Sequence, residues 1–180
     1  MQDAERRVAE GVTAYDAGVY ETAKAILLPL AETGHPKAMN MVGLMYSKGN
    51  GYPTNRTMAC DWYERSAEAG YVSGQANFAT CLYWGDGRPK DVGRSIHWDT
   101  KAAEQGYKLS QADLAGYFVD RDRKQYLYWA QKAAANGSVR AKALMWLNGD
   151  RDLVSDLPWT DIVCVMVMIG LLNESGDYCD

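Results

Sequence analysis

The heptapeptide "KAAEQGY" at residues 101–107 has close counterparts elsewhere in this 180-residue chain. "RSAEAGY" occupies residues 65–71, "KAAANGS" occupies 132–138 and "LAETGH" occupies 30–35. An alanine and a glycine in each copy share one register, with two steps of 36 residues and a last step of 31: Ala31, Ala67, Ala103 and Ala134, and Gly34, Gly70, Gly106 and Gly137. A period of this size predicts a stacked array, in which each unit buries its apolar face against its neighbours.

Each repeat has the spacing of two helices. An apolar stripe at positions i, i+1 and i+4 recurs in the same register, which predicts the buried face of a first helix, helix A. The three stripes are Val42, Gly43 and Tyr46, then Phe78, Ala79 and Leu82, and then Leu114, Ala115 and Phe118. The small residue in the middle of each stripe lets the second helix, helix B, approach closely. Helix B carries a repeated tryptophan, at Trp62, Trp98 and Trp129, and this repetition indicates a structural role.

Charge and hydropathy argue against two classes of partner. The 19 basic and 23 acidic residues are mixed along the chain and give a net charge of −4, so no nucleic-acid surface is predicted. The longest apolar run, residues 162–172, is shorter than the roughly 20 residues that span a bilayer, and it predicts a buried terminal helix. The polar first ten residues do not have the pattern of a signal peptide, so none is predicted from them. They would also suit a chain whose signal was removed, which would favour the periplasm; otherwise the cytoplasm is expected.

Residues 38–70, "AMNMVGLMYSKGNGYPTNRTMACDWYERSAEAG", resemble the Sel-one-like repeat (SLR), a relative of the tetratricopeptide repeat with a longer, Gly-rich loop between its helices. The resemblance is specific over residues 35–71 and 72–107. The third unit, 108–138, lacks the Gly-x-Gly loop; residues 1–34 resemble an opening hairpin, and 139–180 would form an atypical C-terminal cap. The resemblance implies an all-α fold, a right-handed α-α superhelix (solenoid) of stacked antiparallel helix pairs that forms a single domain over residues 1–180.

The resemblance also implies a scaffold that holds another protein along a surface lined by successive A helices, without a cofactor or metal. Transferring the groove positions of tetratricopeptide helices gives the predicted protein-binding residues Val12, Tyr15, Asp16, Asn40, Leu44, Lys48, Ala76, Thr80, Tyr83, Trp84 and Asp120. Trp84 is the most informative of these, because the fold requires no ring there and the preceding repeat has Lys48 at the same position. The alternative is that Trp84 packs over its own loop.

An enzyme is the rival class of function, and the sequence offers no constellation for it. The two histidines, His35 and His97, align with Tyr71 and Asp61 in the repeat register, which favours surface roles. The Gly-rich stretches "KGNGYPTN" and "GDGRPKD" lack the Gly-Lys-Ser/Thr ending of a phosphate-binding loop and recur at the repeat period, as turns do. No cluster has metal-ligand spacing.

Four cysteines allow three pairings. Cys60 on a B helix and Cys81 on the next A helix lie on elements that pack together in such an array, so they could reach each other. Some SLR proteins join neighbouring helices by disulfides, but at closer sequence spacing. Cys164 and Cys179 could likewise tie the tail to the last helix. The favoured interpretation is that the cysteines are free core residues.

Two functions are therefore weighed within the binding class. The favoured hypothesis is a bacterial immunity protein that binds and neutralises a secreted effector, such as a phospholipase, because proteins that look like this one include inhibitors of secreted toxins. The alternative is an adaptor or scaffold in signalling or envelope assembly. A hydrolase is disfavoured.

Overall fold

The computed structural model describes residues 2–154, and every regular element in that range is helical. The α-helices are α1 (Gln2–Asp16), α2 (Tyr20–Glu32), α3 (Pro36–Lys48), α4 (Arg56–Glu68), α5 (Val72–Trp84), α6 (Val92–Glu104), α7 (Lys108–Phe118), α8 (Arg123–Ala135) and α9 (Val139–Leu147). A short 3-10 helix, Arg151–Val154, follows. The expected terminal helix at 162–172 and the pair Cys164 and Cys179 lie outside the described residues.

Contacts divide the chain into two compact units, residues 1–105 and 106–180. In the first unit, α1 packs on α2, α3 on α4, and α5 on α6, while α2 contacts α3 and α4 contacts α5. In the second unit, α7 packs on α8 and α8 on α9. Each predicted repeat is therefore one helix pair. A single domain over residues 1–180 stays a prediction.

The ends of the helix pairs follow the sequence repeat. Gly70 and Gly106 follow B helices with positive φ angles of 84° and 89°, a conformation that glycine adopts at little cost. The B helices begin with a side-chain cap in the same register. Asn55 accepts a hydrogen bond from the backbone N–H of Met58, and Asp91 accepts one from Arg94. Asp122 caps α8 in the same way.

The core of the first unit confirms the predicted stripes. Val42 and Phe78 are fully buried, and Trp62 is 7% exposed. A Cβ added to Gly43 would lie 2.7 Å from the ring of Tyr63, so the middle of the first stripe must be small for α4 to approach. Trp98 is half-buried, with its ring 5.8 Å from that of Phe78.

The core of the second unit is built on small residues. Ala112, Ala133 and Ala141 pack together on α7, α8 and α9. Tyr126 and Trp129 of α8 are also buried. The structural role predicted for the repeated tryptophan is thereby confirmed in this unit too.

The Gly-rich connections within the first two repeats turn back onto the preceding B helix. In residues 49–55, the carbonyl of Gly51 accepts a hydrogen bond from Lys24 Nζ of α2 at 3.1 Å. In residues 85–91, Gly87 touches the start of α4. A Cβ added there would overlap the carbonyl of Arg56 and lie 2.8 Å from the backbone nitrogen of Thr57. Each connection thus fastens the helix pair before it.

Candidate functional site

A cavity of about 380 Å³ opens in the first unit where α3, α4 and α5 meet. Three helical stripes and one loop residue line it: Leu44, Ser47 and Lys48 from α3; Arg56, Ala59, Cys60 and Tyr63 from α4; Asn77, Thr80, Cys81 and Trp84 from α5; and Asp86. Four residues predicted from the sequence are therefore brought together, namely Leu44, Lys48, Thr80 and Trp84.

Sequence reasoning missed the α4 wall of this cavity. Arg56, Ala59, Cys60 and Tyr63 stand at i, i+3, i+4 and i+7, which is one face of a helix. Asn77 of α5 also lines the cavity and was not predicted. The helical spacing of these four residues is visible in the sequence. Which face of α4 lines a cavity, however, depends on the helices that α4 packs against.

The cavity contains a disulfide between Cys60 and Cys81, which overturns the interpretation of these two as free core residues. The two cysteines are 21 residues apart in the sequence, and their Cα atoms lie 6.1 Å apart in the structure. Stacking brings α4 and α5 side by side and places the two positions within bridging distance. Cys60 Sγ also lies 3.0 Å from the carbonyl oxygen of Asp86, a contact that ties the connecting loop to the bridge.

Polar groups and cations occupy the rest of the lining. Arg56 Nη1 donates a hydrogen bond to Ser47 Oγ at 2.8 Å, and Arg56 Nε lies 3.5 Å from a carboxylate oxygen of Asp86. Burial raises the pKa of Tyr63 to about 12, although a hydrogen bond with Ser47 and the charge of Arg56 oppose this shift. Tyr63 therefore keeps its proton at neutral pH and can donate a hydrogen bond.

Trp84 is the most exposed large apolar side chain among the described residues, at 69%. Its ring meets that of Tyr83 edge-on at 5.0 Å, and Tyr83 in turn lies 5.5 Å from Lys90 Nζ. Tyr83 is 38% exposed and does not line the cavity. Most of the Trp84 side chain is therefore accessible to solvent, and both its role in binding and the alternative of packing over its own loop stay predictions.

The remaining predicted residues do not line this cavity. Asn40 is buried, and its Oδ1 accepts a hydrogen bond from Asn77 Nδ2 at 2.8 Å. The hydroxyl oxygen of Tyr15 accepts a hydrogen bond from Asn50 Nδ2 at 2.9 Å. Val12 and Ala76 are half-buried and Asp16 is exposed. Asp120 is exposed in the second unit.

A smaller cavity of about 200 Å³ lies beside α6 and holds paired charges. Arg88 contacts Glu64 at 2.6 Å and Asp61 at 2.7 Å, and Arg94 contacts Glu64 at 3.1 Å. Arg88 and Arg94 thus already face carboxylates, while Lys90, the third cation of the lining, lies 5.5 Å from the ring of Tyr83.

Neither histidine lines one of these two cavities. The Nδ1 atom of His35 accepts a long hydrogen bond from the backbone N–H of Ala38 at the start of α3, and its Nε2 atom lies 3.1 Å from Glu5. His97 is exposed and meets Trp98 edge-on. Between residues 2 and 154, no group of histidine, cysteine and acidic side chains could hold a metal ion. No helix in that range is long and apolar enough to cross a membrane.

Comparison with known proteins places these helix pairs in one family. The sequence profile of the Sel1 repeat matches residues 36–71, 72–107 and 107–138. The crystal structure of a Sel1 repeat protein from Oxalobacter formigenes matches 76% of this chain at 30% identity, with a TM-score of 0.71. The match covers 57% of that protein's chain.

A second solved structure, c5321, is a protective antigen present in uropathogenic Escherichia coli strains and displays an SLR fold. It is 26% identical over 69% of this chain and 36% of its own, with a TM-score of 0.45. A search of curated protein sequences found no significant match. Sel1 repeats mediate protein–protein interaction, and the proteins that carry them are generally scaffolds rather than enzymes. Three profile matches on stacked helix pairs establish that this all-α chain belongs to the Sel1 repeat family.

Proposed function

We propose that this chain is a non-enzymatic binding protein that holds a protein partner against the cavity between α3, α4 and α5. The observation that carries the proposal is the exposure of Trp84, 69%, at the edge of a partly apolar cavity. Exposed tryptophans of this kind provide large contact area at small entropic cost, and they are enriched among residues that dominate binding energy.

The lining of the cavity supports binding rather than catalysis. It contains no histidine, and its single carboxylate, Asp86, faces Arg56. A hydrolase would need a nucleophile with an adjacent base, and no such pair stands among the lining residues. The half-buried Leu44 and the exposed Trp84 provide accessible apolar surface for a partner side chain, and the buried Ala59 and disulfide lie behind them.

The proposed contact face extends beyond the cavity. It includes Leu44, Lys48, Thr80 and Trp84, with Tyr83 at its border. The half-buried Val12, Tyr15 and Ala76, the exposed Asp16 and the buried Asn40 are proposed as outer or supporting members of the binding surface in the first unit. Asp120 is exposed in the second unit, and a binding role for it stays a prediction.

The test begins with a pull-down from the native source and identification of the partner by mass spectrometry. Trp84→Ala should then weaken the measured affinity about 30-fold or more, equivalent to at least about 2 kcal/mol. Tyr128→Ala is the matched control, because Tyr128 is an exposed ring of the second unit, at 48%. An unchanged affinity for Trp84→Ala would remove this face from the binding site.

Within this function we propose an immunity role, in which the partner is a secreted effector such as a phospholipase. A one-to-one complex should then abolish the effector's activity, and co-expression should protect cells from it. Binding without any change in the partner's activity would instead favour an adaptor or scaffold in signalling or envelope assembly.

A further inference from the structure

We propose that the partner segment seated in this cavity carries an acidic side chain, bound by Lys48 and Arg56, next to an apolar side chain packed on Trp84. The inference rests on the proposed function and adds the chemistry of the partner. It commits to a protein segment with a carboxylate rather than to a lipid surface or a second copy of this chain.

The charges of the lining are the first support. Lys48 and Arg56 are cationic, and Asp86 is the one carboxylate among the lining residues. The cavity therefore has an excess positive charge, although the whole chain has a net charge of −4. A partner segment with a carboxylate would complement this local charge, whereas a basic segment would be repelled.

Lys48 is the second support, because its ammonium group is available to a partner. It is exposed at the end of α3, and it forms no ion pair or hydrogen bond with any side chain in the described part of the chain. Its repeat equivalent is Trp84, so the cation and the ring stand at matching ends of the adjacent helices α3 and α5. Both border the same cavity.

Arg56 adds directed hydrogen bonds. Its Nη1 atom donates to Ser47 and its Nε atom lies 3.5 Å from Asp86, which leaves Nη2 without a partner among the residues described. These contacts fix the plane of the guanidinium group beside the cavity. A partner carboxylate can then be received by Nη2, with Lys48 lining the same cavity.

The apolar wall supplies the third support. Leu44, Ala59, the disulfide and the indole of Trp84 line the same cavity as the two cations. A bound apolar side chain would exclude water from this wall, and charge attraction strengthens where water is excluded. The favoured ligand is therefore a short segment with an acidic residue close to an aliphatic or aromatic one.

The test uses the full chain and a displayed library of random 12-residue peptides. Selected peptides should be enriched in Asp or Glu within two positions of an aliphatic or aromatic residue. For one selected peptide, Lys48→Glu should lower the affinity at least tenfold, and changing the peptide's acidic residue to Lys should restore binding to that variant. Affinity for the original chain should also fall as salt rises from 50 to 500 mM.

Lys108→Glu is the matched control, because it makes the same charge change in the second unit and should leave the affinity unchanged. Lys48→Gln provides a second variant, with an expected intermediate loss, should Lys48→Glu fail to fold. Vesicles of phosphatidylglycerol and sedimentation of the chain alone test the other occupants. Lys48-dependent binding to vesicles, or Lys48-dependent dimers, without acidic peptides would overturn the inference.

The two proposals fail differently. Peptides that need Trp84 but bind equally to Lys48→Glu, or that lack acidic enrichment, would overturn the carboxylate inference and leave the proposed binding face intact. A library that yields only peptides indifferent to both Trp84→Ala and Lys48→Glu would overturn both.

Discussion

The second and third repeats connect their two helices in different ways. In the second repeat, residues 85–91 run between α5 and α6 and touch α4 through Gly87 and Asp86. In the third repeat, residues 119–122 suffice to join α7 to α8. The helix pair forms in both, so the Gly-rich connection is not needed to make a pair. It fastens the preceding B helix and supplies a border to the cavity.

The disulfide gives the largest expected difference between the two regions. Reducing it, or making Cys60→Ala with Cys81→Ala, should lower the free energy of unfolding by about 3 kcal/mol, because the bridge closes a loop of 21 residues in the unfolded chain. Urea denaturation with and without reductant measures the loss. Hydrogen exchange should show that α4 and α5 lose protection while α7 and α8 keep theirs.

Cys164→Ala with Cys179→Ala is the control, and it should leave the reductant-dependent change at α4 and α5 in place. Alkylation of both Cys60 and Cys81 in the folded, unreduced protein would contradict the bridge.

The contact of the Gly-rich connection, residues 85–91, with α4 can be tested by one matched pair of substitutions. Gly87 and Gly70 both have positive φ, 81° and 84°, so alanine costs backbone strain at each. A Cβ at Gly87 would also overlap α4, whereas nothing lies within 4 Å of one at Gly70. Gly87→Ala should therefore be less stable than Gly70→Ala by about 2 kcal/mol in urea denaturation. Equal losses would mean that the loop does not clamp α4.

Alkaline pH should produce the smallest effect, to which Tyr63 of the first unit and Tyr126 of the second should contribute similarly. Burial raises the pKa of Tyr63 and of Tyr126 to about 12, from 10.0. The folded chain then holds these protons more tightly than the unfolded chain does, so their contribution is complete below pH 10 and is lost as pH rises toward 12. At pH 10 each of these two tyrosines should lower the free energy of unfolding by less than about 0.5 kcal/mol.

Urea denaturation at pH 8, 9 and 10 measures this loss. Tyr63→Phe and Tyr126→Phe should each reduce the pH dependence by a similar amount. A variant that keeps the full slope would show that its tyrosine does not titrate in this way.

The register of the repeat was readable from the sequence, and so was most of the fold. Gly70 and Gly106 had to follow B helices because a left-handed residue is required there, and Gly43 had to be small because α4 packs over it. Such requirements are local to one helix pair, so they repeat at the same offset and leave a visible pattern.

The site was less predictable, because it depends on contacts between successive pairs. Leu44, Lys48, Thr80 and Trp84 followed from helical position, but Arg56 and Tyr63 belong to the site only because α4 turns that face toward α5. Asn40 was expected to be available to a partner, yet it is buried beside Asn77. Stacking predicted that Cys60 and Cys81 could reach each other, but the sequence alone did not decide between a bridge and free thiols, and the structure has the bridge with Cα atoms 6.1 Å apart.

The backward reach of the Gly-rich connections has a consequence for synthesis on the ribosome. Helix α2 receives its contact from Gly51, and α4 receives its contact from Gly87, so each pair is completed by residues that are translated after it. A nascent helix pair therefore lacks these contacts until the next A helix and its loop leave the exit tunnel. Each pair should reach its final packing only after the following repeat has been translated.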